Sequence, residues 1–325
     1  MAKLWLRCAA PAIGLFFLAP IVAEYLLGDL PIYMIAALIV LAPLYGGGAL
    51  LIREIARRRG LGWTGILILA LAYAVFEEAF TTQTLFNPNY LHLNLHLLEP
   101  AYIPALGIGG WWTVFVLTLH TVWSISTSVA LIEAMVPDRA TTPWLGNIGL
   151  FVMGTLFIFG AIISTKIEIR QDHFIATKNQ FIVSGVVCIA LIIIGLLLRQ
   201  KPIVHTVGWL PSPWIVGVVA LAAGSIFLIV PKGWAWRAVA IYLALFIAVA
   251  IFVWFASHRE GWGNLHRLAL AGGAALAYAW HAFLQNPAVG DSNRVVRIGN
   301  GVFAAALLLF LFIAARKNSQ ISVSG

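Results

Sequence analysis

The chain has 325 residues, 62% hydrophobic and only 10% charged, with a formal net charge of +8 and a mean hydropathy of +0.95. Soluble domains carry about 25% charged residues, which excludes an ordinary soluble fold, and the lack of short alternating segments excludes a membrane β-barrel. The basic residues sit between apolar runs, so membrane topology accounts for the positive balance and no nucleic-acid partner is expected.

Apolar runs of about 17 to 25 residues recur from end to end, each long enough to cross a bilayer core as a helix. They predict an all-α fold, a polytopic transmembrane helix bundle of about ten spans, and a single integral membrane domain over residues 1–325. The expected spans are 8–27, 32–52, 62–84, 111–135, 148–164, 181–198, 214–230, 238–255, 268–284 and 298–315. The first begins behind Lys3 and Arg7 and runs to Leu27 without a small-x-small cleavage site, so it reads as an uncleaved span. Pro20 in the first span, and Pro43 with "GGG" at 46–48 in the second, mark places where a helix can break. The run "REIARRRG" at 53–60 is the densest basic cluster. Retention of Lys and Arg on the cytoplasmic side sets both termini inside and makes 316–325 a short cytoplasmic tail. Cys8 and Cys188 lie within or beside apolar segments, which argues against a disulfide or a thiolate metal site.

The third span runs into "YAVFEEAFTTQTLFNPNY" at 73–90, where Glu77 and Glu78 are adjacent. An ionised acid at mid-bilayer costs about 2.5 to 3.5 kcal/mol on insertion scales, so such residues are paired or face a polar interior. Neighbouring helical residues project about 100° apart. The two acids therefore form the shoulders of one cavity, or one lines it while the other bonds a neighbouring helix. Tyr73 and Thr81 lie one turn either side of Glu77, and Thr82 lies one turn after Glu78. The following outer segment, 85–110, is too apolar for a solvated connection and is expected to re-enter the membrane edge or lie in the interface. His92 and His96 within it have a spacing that suits a metal if the segment is helical, and an interfacial role otherwise.

The fourth span places Thr113, His120, Ser124, Thr127 and Ser128 near one helical face. In the ninth, Tyr278, His281 and Gln285 fall at i, i+3 and i+7 before Asn286 and Pro287, and Gly272 and Gly273 permit close helix approach. At 1.5 Å per residue, Glu78, His120 and His281 all fall in the outer half of a core about 30 Å thick. Glu24 and Glu133 lie near span ends as interface or packing residues, with an outer vestibule as the alternative for Glu24.

These residues define a candidate site. Glu77, Glu78, His120 and His281 carry the chemistry, and Tyr73, Thr81, Thr82, Ser124, Tyr278 and Gln285 line the cavity. Two mechanisms fit. In one, a glutamate is general base to a water and a histidine donates to the oxyanion. In the other, Glu78, His120 and His281 hold a divalent metal such as zinc.

The paired acids followed by histidines on later helices resemble the CAAX-protease and bacteriocin-processing family of membrane proteases. Its pattern is EExxxR, then FxxxH, then HxxxN or HxxxD. Here Thr82 takes the arginine position, Phe115 and His120 give FxxxxH, and Gln285 stands where Asn or Asp is expected. The resemblance implies an intramembrane hydrolase of the protease type; a small molecule, a lipid and a peptide all stay open as its substrate. Four longer stretches, "LAPIVAEYLLGDLP", "LAPLYGGGALLIREIARRRGLGW", "FEEAFTTQTLFNPNY" and "LTLHTVWSISTSVALIEAMVPDRATTPWLG", resemble a group of uncharacterised multi-span proteins, chiefly bacterial. That likeness implies a multi-pass protein of the cell membrane, the inner membrane in a bacterium, and no particular activity. Two other classes stay open: a proton-coupled secondary transporter of a small molecule, and a scaffold or lipid-binding protein whose polar sector only fixes helix packing. The lipid bilayer is the one partner expected in every case.

Overall fold

The computed structural model describes residues 2–199 and 203–324, with side chains described for 9–199 and 203–320; the side chains of Lys3, Arg7 and Cys8 lie outside that set. Among the described residues, each expected span is a helix. They are α1 (Ala2–Pro20, continued by a π segment Ile21–Leu26), α2 (Ile32–Arg59), α3 (Trp63–Thr81), α4 (Gly110–Met135), α5 (Asn147–Asp172), α6 (Lys178–Leu197), α7 (Pro213–Ile229), α8 (Trp236–Ser257), α9 (Asn264–His281) and α10 (Arg294–Ser324). Eight are long and apolar enough to cross a bilayer. The other two are α7, with 17 residues, and α9, whose first turns carry Asn264, His266 and Arg267. Among the described residues, one hairpin pairs β1 (Tyr102–Ile103) with β2 (Ile108–Gly109).

Three helices run well past the expected span ends, because their polar residues find protein partners there. Asp172 closes α5 and accepts from Asn87 Nδ2 at 2.6 Å. Asn318, in the segment expected as a tail, continues α10 and donates to Ala134 O at 2.8 Å. The largest case is α2. Arg53 and Glu54 are fully buried, so the basic run is an internal clamp as well as a candidate topology signal. Arg53 reaches Glu54 at 2.7 Å and Glu133 at 3.1 Å, donates to the Ala140 carbonyl at 2.9 Å, and lies over the Trp144 ring. Arg57 grips both oxygens of Glu133, at 2.8 and 2.6 Å. Glu54 also accepts the backbone N–H groups of Trp144 and Leu145. Each acid is thus met by several donors, as buried charge requires.

The bundle is organised around α4, which has two working faces. On one, Trp111 Nε1 donates to Tyr242 Oη at 3.1 Å, Phe115 stacks on Phe227, and Trp123 stacks on Tyr278 with centroids 4.6 Å apart. That face joins α4 to α7, α8 and α9 in one apolar core. The other face places Ile125, Val129 and Ile132 in a second core with α1, α2 and α3. The glycine pair on α9 behaves as expected: a Cβ at Gly273 would strike the Gly217 backbone of α7, and one at Gly272 would meet Leu311 of α10. On α6, Ile182, Val186, Ile189 and Ile193 are exposed at i, i+4, i+7 and i+11, an apolar stripe suited to lipid contact.

Four helices that surround the second core change from α to π winding: Ile21–Leu26 in α1, Ala42–Gly46 in α2, Glu77–Thr81 in α3 and Leu119–Thr127 in α4. The sequence suggests breaks at Pro20 and Pro43; the helices instead stay continuous and widen. A proline lacks the N–H for its own turn and crowds the carbonyl four residues back, and a wider turn relieves both. In α4 the hydroxyls of Thr118 and Ser128 bond back to the Val114 and Trp123 carbonyls, competing with the regular ladder. Close approach is needed beside these turns. A Cβ on Gly48 would overlap the Tyr73 ring. Gly48→Ala is therefore expected to lower stability by about 1–3 kcal/mol, the usual effect of overpacking. Thermal unfolding in detergent checks this, and an unchanged midpoint would show that Tyr73 is not held there.

Candidate functional site

The four π segments carry a second group of interior polar residues, apart from the Arg53 cluster: Glu24 on α1, Tyr45 on α2, Glu77 and Glu78 on α3, and His120 and Ser124 on α4. Single π turns recur at functional sites because they redirect side chains that a regular helix would place elsewhere. Here they gather a site from helices separated in sequence.

His120 is the centre. Its Nε2 lies 2.7 Å from Glu78 Oε1, and its Nδ1 lies 3.2 Å from Glu77 Oε2 and 3.3 Å from Ser124 Oγ. All three principal side chains are buried, with exposures of 1% for Glu77, 3% for Glu78 and 7% for His120. The second oxygen of Glu78 accepts from Thr82 Oγ1 at 3.2 Å and from Thr84 Oγ1. Thr84 in turn accepts from Trp112 Nε1 at 2.9 Å. Glu78 is thus fully engaged. Glu77 is not: its Oε2 sits at ion-pair distance from the ring but has no partner in hydrogen-bond geometry, and the hydroxyls of Tyr73 and Thr81 beside it are likewise buried without one. Two aromatic rings wall the imidazole. Tyr45 stacks on it at 5.8 Å and Tyr73 meets it edge-on at 6.4 Å.

Of the sequence candidates, Glu77, Glu78, His120, Tyr73, Thr81, Thr82 and Ser124 come together. His281, Tyr278 and Gln285 do not join them, which corrects the expected convergence of the third, fourth and ninth spans. The reason lies in the two faces of α4. Helix α9 packs on the Trp123 face, where Tyr278 stacks and Ala274 O accepts from Trp123 Nε1, whereas His120 points to α3. His281 lies one turn beyond Tyr278, half-buried, edge-on to Trp280, with Nδ1 unpartnered. Gln285 ties the α9 end to the α1–α2 turn, donating to Leu27 O at 2.7 Å and Asp29 Oδ1 at 3.0 Å.

The expected zinc set of Glu78, His120 and His281 is therefore not formed. The residues that could hold a cation are Glu77, Glu78 and His120, whose ligand atoms lie within 4.8 Å of one another. Yet each ring nitrogen faces a different carboxylate, so a cation on either nitrogen would have to displace one of these contacts. The arrangement suits a proton relay, Glu77 to imidazole to Glu78, better than a metal cage. His92 and His96 are also apart in role. Their segment is not an α-helix, and His92 contacts the Gln171 carbonyl while His96 pairs with Glu99.

Sequence reading missed Tyr45, Thr84 and Trp112 and placed Glu24 near a span end as an interface or packing residue, with an outer vestibule as the alternative. Tyr45 Oη donates to Glu24 Oε1 at 2.6 Å, which brings Glu24 into the same group. A signal existed, since Tyr45 sits between Pro43 and the glycine triplet. Beyond it, Asp29 in the α1–α2 turn has its carboxyl raised from the ordinary 3.8 to about 7, chiefly by burial and next by the nearby Glu24 charge, with the Gln285 bond opposing. The folded chain thus holds this proton more tightly than the unfolded chain. That contribution to stability is full below about pH 3.8 and is lost as pH rises through about 7. Asp29→Asn is expected to flatten this decline in thermal-unfolding series across the same window; parallel slopes for parent and variant would refute it.

No curated protein and no solved structure matches the chain. The profile of an uncharacterized membrane protein family matches residues 15–319. With that match across nearly its whole length, and eight helices long and apolar enough to span a bilayer among its described residues, the chain belongs to that uncharacterized membrane protein family as a multi-pass member.

Proposed function

We propose that the protein is an intramembrane hydrolase that activates water at Glu77. The observation that carries this reading is the unequal engagement of the two acids. Glu78 is saturated by His120, Thr82 and Thr84, whereas Glu77 Oε2 is buried, unpartnered and 3.2 Å from the imidazole. A carboxylate so placed accepts a proton readily from a water held against it. The water oxygen bonds to a substrate carbonyl carbon, Glu77 takes the proton, and the C–N or C–O bond breaks as that proton passes to the leaving group. Glu78 fixes the ring of His120, and the hydroxyls of Tyr73 and Thr81 stand ready to donate to the developing oxyanion. The likeness of Glu77 and Glu78 to the paired acids of the CAAX-protease and bacteriocin-processing family supports the same reaction, with a membrane-embedded peptide as substrate.

Termini of membrane peptides in cells carrying wild-type protein or Glu77→Gln, mapped by mass spectrometry, test the proposal. Termini present only with wild-type are expected; identical sets would sink it. A proton-coupled carrier is the second reading, favoured by the Tyr45–Glu24 contact, which extends the polar chain beyond the paired acids. In proteoliposomes that reading requires solute-driven proton flux that Glu77→Gln abolishes.

A further inference from the structure

We propose that Glu24 and Tyr45 form a carboxylate–phenol–carboxylate bridge that exchanges a proton between Glu77 and the Asp29 end of the bundle. The inference rests on the reading of Glu77 as the site's proton acceptor and adds residues that the paired-acid motif does not contain. Its basis is geometric. Tyr45 is 4% exposed, its hydroxyl donates to Glu24 at 2.6 Å, and its ring lies against His120, whose Nδ1 is 3.2 Å from Glu77 Oε2. The ring is held in place by its stack on His120 and its tilted contact with Tyr73. Glu24 and Tyr45 each lie in the π segment of their own helix, so both side chains are redirected toward α3. Backbone N–H groups of Asp29 and Leu30 bond to the Glu24 carbonyl at 2.9 and 3.1 Å, which fixes the acid one turn below Asp29.

The transfer balances without any added reactant. Tyr45 gives its hydroxyl proton to ionised Glu24 while accepting one from protonated Glu77; the charge moves from Glu24 to Glu77 and the phenol is regenerated. Glu77 hands its first proton to the leaving group, but the newly formed carboxylic acid product releases another, and a buried site walled by aromatic rings needs a route for it. The titratable groups in electrostatic reach of this bridge are Tyr25 on α1, Asp29 on the turn, Tyr73, Glu77 and Glu78 on α3, Tyr90 on the outer segment, His120 on α4, Glu168 on α5 and Tyr278 on α9. A purely structural alternative exists, in which Tyr45 only satisfies the Glu24 carboxyl.

Infrared pH titration of the purified protein in lipid separates the two. The protonated-carboxyl bands of Glu77 and Glu24 are assigned by their loss in Glu77→Gln and Glu24→Gln. The bridge predicts that Tyr45→Phe moves both midpoints by about one pH unit or more, because the phenol is the group through which the two carboxyls act on each other. It also predicts reciprocity: Glu24→Gln shifts the Glu77 midpoint as much as Glu77→Gln shifts that of Glu24. A Tyr45→Phe protein in which only the Glu24 band moves, or in which neither carboxyl titrates, overturns the proposal. The control Tyr25→Phe, whose hydroxyl bonds to Met34 O, should leave the Glu77 band in place, and a shift as large as that of Tyr45→Phe would also overturn it. Coupled midpoints without wild-type-specific cleavage would remove the hydrolase reading and leave the bridge standing; cleavage without coupling would do the reverse.

Discussion

Glu77→Gln is expected to reduce turnover by about 10²- to 10⁴-fold, the usual contribution of a positioned general base. Gln fills the same volume, so the fold and substrate affinity should be little changed and the loss should fall on the chemical step. Glu78→Gln is expected to have a milder effect. It keeps one oxygen, facing either His120 Nε2 or the Thr82 and Thr84 hydroxyls, puts an NH2 group at the other position, and removes the charge that orients the ring. The ranking is the informative part. Single-turnover assays on a cleaved membrane peptide would give it, and a Glu78→Gln defect far deeper than that of Glu77→Gln would reverse the assigned roles.

Arg53→Met should cause the largest loss of stability in the molecule, about 3–5 kcal/mol, as expected when one partner of a buried ion network is removed. Glu54 and Glu133 would then keep their burial and lose a shared counter-charge. Arg58 provides the comparison. Its side chain is 29% exposed and its Nε lies 3.7 Å from Glu54, so Arg58→Met should cost only about 0–1 kcal/mol. Unfolding midpoints of the two variants in one detergent decide the matter; equal losses would mean that the Arg53 cluster gains nothing from its burial.

Much of this architecture can be read in the residues before any coordinates. Ten apolar runs become ten helices, since a bilayer core imposes both composition and length on a span. Glu77, Glu78 and His120 stand out for a related reason: an ionisable side chain is costly in hydrocarbon unless it is paired or serves a function. His281 shows where the reasoning fails. Rise per residue gives depth, but depth does not say which neighbour a helix face meets, and α9 turned out to pack on the opposite face of α4. Winding is also hidden, because the π segments reset the direction of every side chain after them, which is how Tyr45 and Glu24 enter the group. The Arg53 cluster was legible only as charge. Its partners Glu133, Ala140 and Trp144 lie some 80 to 90 residues away, and no local pattern announces them.

The central claim is that one imidazole stands between two carboxylates within the helix bundle. Solid-state ¹⁵N NMR of histidine-labelled protein in lipid reports on it directly, with the His120 signals identified by their absence in His120→Gln. Glu78→Gln should shift chiefly the Nε2 resonance and Glu77→Gln chiefly Nδ1. If neither substitution perturbs the His120 ring, or both act on the same nitrogen alone, the two acids do not flank it.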